Sequence, residues 1–540
     1  MKIPRMGLAA AAGLLAAGIA VFSDATLAQT AKPAKAEENS VDLLLAGGQV
    51  LDGTGAAARR SDVGIRGDRV AFLGDAKKAK VRSARVIDAK NLVVAPGFID
   101  PHTHMAGWFS DPERKSGLNY LMQGVTTVVV GNDGSSPLHI AATLEEWERG
   151  GIGTNVALLI GHGTVRREVL GSQDVQPTEE QLEKMQSQVR TAMQEGAFGL
   201  STGLYYVPGS FAKTEEVIAL ARVAAEFGGY YDTHMRDEDS YSIGLLGAIE
   251  ETIRIGREAK IPTHVSHIKA LGPAVWGKST AAIEIIRKAR SEGIDVTAGQ
   301  YPYTASGSSL VASLFPPWVQ EGGRNAMLGR LNDSALHERL MKEVAENLER
   351  RGGPESLLFT GRDAPSILGR TLAAVAKERG SPPVGTAISL LKEAAAQDRF
   401  SGLPVASFNM SEEDIANFMK QDFVMTDSDG SAGHPRMYGT YPRKIRRYVF
   451  EKRIITLPFA IHASTAMPAN LLHLADRGVL RVGNCADVIA FDPKTIADRA
   501  TYEKPEELAI GMKYVIVNGK LAVENGNYTG AVAGRALRRK

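Results

Sequence analysis

The sequence predicts an α/β fold: a (β/α)8 TIM-like barrel, with a small β-sandwich assembled from both chain ends and a helical subdomain inserted near the barrel mouth. Three observations predict it. Apolar strands alternate with helical stretches through the middle of the chain, and short strand-and-turn runs recur at both ends. More than a hundred residues, largely of helical pattern, separate the last two central strands. A length of 540 residues exceeds one compact core and agrees with a large barrel carrying accessories.

The chain opens with Lys2 and Arg5, an apolar run from Gly7 to Phe22, and Thr26-Leu27-Ala28. This is the pattern of a secretory signal peptide over residues 1–28 with a small-residue cleavage site, and it predicts a secreted or periplasmic protein. An uncleaved anchor is the alternative, but the run is short for a span and rich in Ala and Gly, so no stable membrane insertion is expected after cleavage. Residues 29–40 then form a polar leader. Cys485 is the only cysteine, so an intrachain disulfide and a lipidated N-terminal cysteine are both excluded. Stability outside the cell must come from core burial and bound metal. Lys+Arg 63 against Asp+Glu 61, with no basic stripe, argues against a nucleic-acid partner and leaves a small molecule as the expected one.

Residues 41–95 and 478–535 each hold short strands separated by turns, and neither piece can bury two faces alone. Paired, they make the β-sandwich. Residues 96–477 then form the barrel, with candidate strands at 97–102, 126–131, 155–161, 198–202, 230–233, 262–266, 295–300 and 423–428. Among the intervening helices, Thr178-Glu179-Glu180-Gln181 is a capping box that opens a helix reaching about Glu195. The insertion, about 310–420, contains helical patterns at 335–351 and 385–396.

Barrel chemistry sits at the C-terminal ends of the strands, and there this chain places histidines and acids. The first strand runs into Pro101-His102-Thr103-His104, where side chains two apart share a face and His102 and His104 can converge on one cation. Later strands end in Asn132-Asp133, His162, His234, His267 with Lys269, and Asp427-Ser428-Asp429. Any one of these could be a satisfied rim residue; six strand ends converging predict a metal site. Imidazole and carboxylate without thiolate suit zinc or a related divalent ion, which lowers the pKa of a bound water to about 7. A carboxylate must then carry the proton to a leaving nitrogen, and Asp429 is placed for that catalytic role.

Pro96 to His104, together with Ser428-Asp429-Gly430, His434-Pro435-Arg436 and Gly439-Thr440-Tyr441-Pro442-Arg443, resembles the amidohydrolase superfamily and specifically its N-acyl-D-amino-acid deacylases (D-aminoacylases). The resemblance covers nearly the whole mature chain, including Gly161-His162-Gly163-Thr164, Gly199-Leu200-Ser201-Thr202-Gly203, Ser266-His267-Ile268-Lys269, Tyr301-Pro302-Tyr303 and Gly534-Arg535-Ala536-Leu537-Arg538. It implies one or two zinc ions, with His102, His104 and Asp429 around one position and His234 and His267 around the other. It also implies substrate contacts from Tyr206, Lys269 and Arg436, the arginine fork taking the free carboxylate. The reaction implied is hydrolysis of the amide of N-acyl-D-amino acids, or of small peptides with a C-terminal D-residue, by hydroxide generated on the metal.

The family's second strand usually ends Gly-Asn-Cys-Gly with the cysteine as a ligand, whereas this chain reads Gly131-Asn132-Asp133-Gly134. Asp133 is expected to take the ligand position as a harder anionic donor, with a plain turn residue as the alternative. The run Tyr303-Thr304-Ala305-Ser306-Gly307-Ser308 is also shifted, which leaves the substrate-contacting serine open. Two other readings are a cyclic amide hydrolase and a non-catalytic binding protein on the same barrel. The first usually needs a modified lysine at strand four, where this chain has Ser201-Thr202-Gly203; against the second, the histidines and Asp429 are all retained.

Overall fold

The computed structural model describes residues 39–362, 364–396 and 402–539; the signal peptide expected over 1–28 lies outside them. All eight expected central strands form, and they are parallel. Val125–Val130 shows why: Val-Thr-Thr-Val-Val-Val is β-branched throughout and every residue is buried, as a strand covered on both faces requires. The helix expected from the capping box spans Glu179–Gln194, with Thr178 and Gln181 bonded reciprocally.

The strand ladders do not close into a ring. Phe98–Asp100, Val125–Val130 and Asn155–Leu158 make one arc. Ile160–Gly161, Gly199–Gly203, Tyr230–His234, Thr263–Val265, Val296–Gln300 and Val424–Thr426 make the other. The arcs adjoin at Leu159, whose N–H donates to Val130 O at 3.0 Å and which splits the third strand in two. On the far side, the turn at Ala463 and Ser464 wedges between the first and last strands. Ile99 N donates to Ser464 O and Thr426 N to Ala463 O, each at 2.9 Å. The two strands meet only beyond their C-terminal tips, where Thr103 bridges Gly430 and Asp429 N donates to His102 O at 3.1 Å.

Strands from the two chain ends share one nine-stranded sheet rather than two separate ones. Val93–Pro96 pairs antiparallel with Val488–Phe491 and joins the halves. One apolar cluster, including Leu45, Val63, Val94, Val488 and Ile516, draws on both. A strand not expected, Arg82–Asp88, pairs parallel with Ser40–Val50; it is mostly exposed and lacks an apolar alternation.

The segment after Gln300 builds a three-stranded antiparallel sheet, Ala305–Ser309, Pro404–Phe408 and Leu357–Phe359, covered by helices that include His337–Arg350 and Pro383–Ala395. It has its own apolar cluster around Leu314, Val344, Phe359 and Leu391. Among the described residues no helix is long and apolar enough to cross a membrane.

Candidate metal centre

Two groups of potential ligands form at the strand tips: His102, His104, Asp133 and Asp429, and Asp133, His234 and His267. Asp133 belongs to both. Its Oδ1 stands 3.4 Å from His102 Nε2 and 3.5 Å from His267 Nε2, and its Oδ2 3.5 Å from His104 Nε2 and 3.8 Å from His234 Nδ1. Asp429 Oδ1 lies 3.1 Å from His104 Nε2 and 3.8 Å from His102 Nε2. Both oxygens of Asp133 and Oδ1 of Asp429 therefore face imidazole nitrogens across gaps of the size a shared cation fills.

The backbone is bent to achieve this. Asp133, His267 and Asp429 have φ of 54°, 36° and 45°, the left-handed region that side chains other than glycine's rarely adopt. Such outliers persist only where the surroundings hold them, and here three of the six ligand candidates carry one. At Asp133 the turn is tight on its far side as well: Gly134, φ 71°, packs so closely on the Gly203 backbone that a Cβ would come within 2.9 Å of its nitrogen. Asp133 is thus a turn residue and a member of the cluster at once.

The donor set fits a metal ion. His102 Nε2 and Asp133 Oδ1, 3.4 Å apart, are both buried without a hydrogen-bond partner, which is costly unless a cation occupies the space between them. Burial keeps His102 neutral and lowers His234 to about 4, the state a ligand needs. Against burial, the protonated His267 holds Asp133 ionised, and Arg436 does the same for Asp429. Burial and Lys269 oppose a proton on His267, but the carboxylates of Asp429, Asp133 and Glu238 outweigh them and raise it to about 10. The cluster draws positive charge to itself.

Outside this ring lie the groups that orient it. Glu238 Oε1 is 3.2 Å from His267 Nδ1 and accepts from Lys269 Nζ at 2.6 Å, so one carboxylate turns the histidine's other nitrogen toward Asp133 and holds the lysine. Beneath, Asp427 Oδ2 accepts from His267 N at 3.0 Å, and Asn132 donates to Pro101 O and Asp232. Tyr206 packs 4.6 Å from the His234 ring. Arg436 is buried, with Nη1 2.7 Å from Asp429 Oδ2 and its guanidinium over the Tyr301 ring.

Two clefts open on the cluster. One is lined by His104, Asp133, Asp429, His434 and Arg436, the other by Tyr205, His234, Glu238, Tyr241, Lys269 and Arg351; Tyr206, Gly307, Ser308 and Asp429 border both. The site residues expected from the sequence, His102, His104, Asp133, His234, His267, Asp429, Tyr206, Lys269 and Arg436, all converge here. His162 does not. Fully buried at the start of the helix His162–Leu170, its Nε2 bonds Glu216 Oε1 at 2.8 Å, and Glu216 also takes Arg166. Glu238 and Arg351 were not expected; Glu238 follows His234 by four residues, a spacing that could have flagged it.

The amidohydrolase family's sequence profile matches residues 85–523. A D-aminoacylase from Alcaligenes xylosoxydans xylosoxydans is 33% identical over 532 residues, spanning 94% of this chain and 99% of that protein. The same organism's N-acyl-D-glutamate deacylase is 34% identical, over 89% of this chain and 93% of its own. Among solved structures, a crystal structure of D-aminoacylase superposes with a TM-score of 0.78 at 33% identity, covering 92% of this chain and all of its own. An N-acyl-D-glutamate deacylase from Bordetella bronchiseptica, complexed with zinc and a phosphonate mimic of the tetrahedral intermediate, gives 0.78 at 31% identity with the same coverage. A D-hydantoinase shares the fold at 16% identity and a TM-score of 0.55.

Proposed function

The chain belongs to the amidohydrolase family, and from that premise we propose that it is a metal-dependent deacylase that hydrolyses the amide of N-acyl-D-amino acids or of small peptides ending in a D-residue. The observation that carries the reading is Asp133, whose two oxygens face four imidazoles from three other strand tips. His102, His104 and Asp429 would hold one ion, His234 and His267 the other, and Asp133 both. When bound, zinc supplies Lewis-acid polarisation of the scissile carbonyl and makes water acidic enough to ionise near neutral pH.

The residues around it do the rest. Asp429 takes the proton of the attacking water and delivers it to the amide nitrogen as the C–N bond breaks. Arg436 and Lys269 grip the substrate carboxylate, with Tyr206 closing against it. Glu238 is a positioning residue that acts through His267 and Lys269. We read the two arcs as one eight-stranded barrel, residues 96–477, with residues 310–420 as its insertion and the sheet of 41–95 and 478–535 as its small partner domain. Export to the periplasm or medium fits the apolar leader in the sequence.

A hydrolysis screen against N-acetyl-D- and N-acetyl-L-amino acids, mixed-chirality dipeptides and hydantoins, with zinc content measured on the same sample, tests the proposal. We expect bound zinc and turnover of D-compounds. Turnover of hydantoins instead, or a protein that retains no divalent ion, would overturn it.

A further inference from the structure

We propose that Arg351 reads a second carboxylate on the substrate, so that the preferred compounds are N-acyl-D-amino acids carrying an acid in addition to the α-carboxylate. This deepens the deacylase reading and rests on it. Arg351 directly follows the insertion helix His337–Arg350, so the residue that reaches the cleft comes from outside the barrel. It is 2% exposed.

Its partners are what distinguish it. Nε donates to Tyr241 Oη at 2.6 Å and Nη2 to Tyr205 Oη at 3.0 Å. Tyr205 spends its own proton on Ala312 O at 2.6 Å, so its oxygen is fixed as an acceptor toward the guanidinium. Both partners are tyrosine hydroxyls rather than carboxylates, and Nη1 has no hydrogen bond within the described protein. Three lysines or arginines line the two clefts. Lys269 has Glu238 at 2.6 Å and Arg436 has Asp429 at 2.7 Å, whereas no described carboxylate lies within 4.0 Å of Arg351. Asp239, whose charge it feels, bonds Ser240 instead.

A buried guanidinium without an anion is an unfinished pair, and a planar fork held by two tyrosines is preorganised for a carboxylate. Its cleft also contains His234 and borders Asp429, so a group bound there is attached to a molecule whose amide reaches the metal ligands. Relatives that act on D-glutamate and D-aspartate derivatives and the D-aminoacylase are similar to this chain to the same degree, so overall likeness does not choose among side chains. Arg351 does. A purely structural arginine, clamping the insertion to the loops of Tyr205 and Tyr241, would hold the fold without discriminating among substrates.

The second acid can sit on the amino-acid side chain or on the acyl group, and two pairs of compounds separate these. One pair is N-acetyl-D-glutamate and N-acetyl-D-glutamine, the other N-succinyl-D-leucine and N-butanoyl-D-leucine. In the wild-type enzyme one pair should show kcat/KM favouring the acid by about tenfold or more, falling toward parity in R351Q and partway in R351K. Parity in both pairs for the wild type, or a preference that survives both substitutions, would overturn the inference. Calorimetric binding of the same four compounds gives the readout if none is hydrolysed. Absence of all turnover would then remove the deacylase reading, while tighter binding of one acid that R351K weakens would still support Arg351, and equal binding would not. Circular dichroism and zinc content verify each variant's fold.

Discussion

Asp429 offers one oxygen to each of two neighbours: Oδ2 pairs with Arg436 Nη1 at 2.7 Å, and Oδ1 lies 3.1 Å from His104 Nε2. The arginine assigned to the substrate carboxylate and the acid assigned to proton transfer are therefore one ion pair. The Arg436 guanidinium also touches Ser431 Oγ and Gly307 O, which leaves the fork in the cleft shared with His104, Asp133 and His434. An arriving carboxylate would share the guanidinium with Asp429, coupling substrate seating to the electrostatics of the acid.

Asp429→Asn should fold with a near-native melting profile but lower kcat by on the order of a hundredfold or more, as for loss of a general acid/base. Steady-state kinetics at matched zinc content check this. An unchanged kcat would remove Asp429 from the chemistry.

Arg436→Lys should weaken binding of free-acid substrates, because a point charge cannot replace a two-pronged contact; a KM increase of about tenfold is expected. Comparing N-acetyl-D-leucine with its carboxamide isolates the effect. If both variants of the enzyme handled acid and amide in the same ratio, Arg436 would not be the carboxylate reader.

Asp133→Ala should lower zinc content and turnover together, since the side chain lies in both ligand groups. Asp133→Cys should recover part of the zinc, a thiolate being a good zinc ligand. Full zinc occupancy in the alanine variant, measured by atomic emission after dialysis, would reduce Asp133 to its turn role.

Glu412 provides a stability test away from the site. Burial raises its pKa, but Lys452, the Tyr448 hydroxyl and Arg447 outweigh that and bring it down from 4.5 to about 2. A depressed folded-state pKa adds stability above the unfolded value and loses it as pH falls toward the folded one. Glu412→Gln should therefore melt below wild type at pH 7, with the gap narrowing between pH 4.5 and about 2. A gap that stays constant over that window would show the ion pairs to be inert.

The candidate ligands were legible because strand periodicity and strand ends are local properties: His102 and His104 follow one apolar strand, and Asp133, His234, His267 and Asp429 end four others. His162 satisfied the same local rule and failed, because its ring turns to Glu216 on the neighbouring helix Thr214–Glu226, a pairing no local pattern reveals. Glu238 and Arg351 depend on packing between loops and the insertion. The strand Arg82–Asp88 was hidden by its charged, exposed edge, and the gap between the first and last parallel strands by a turn nearly forty residues further along the chain, at Ala463 and Ser464.

That open side gives the candidate metal ligands a mechanical meaning. His102 and His104 stand at the tip of the first strand and Asp429 beyond the last, on opposite lips of a seam that has no ladder between its two strands and is held by the Ala463–Ser464 turn, by Tyr441 and by the bonds at the tips. An ion held by these three side chains would be a stitch across the seam. The proposed chemistry and the cohesion of the two arcs would then draw on the same few bonds, and amide protons around Asp429 and His102 should exchange more slowly with zinc bound than after its removal.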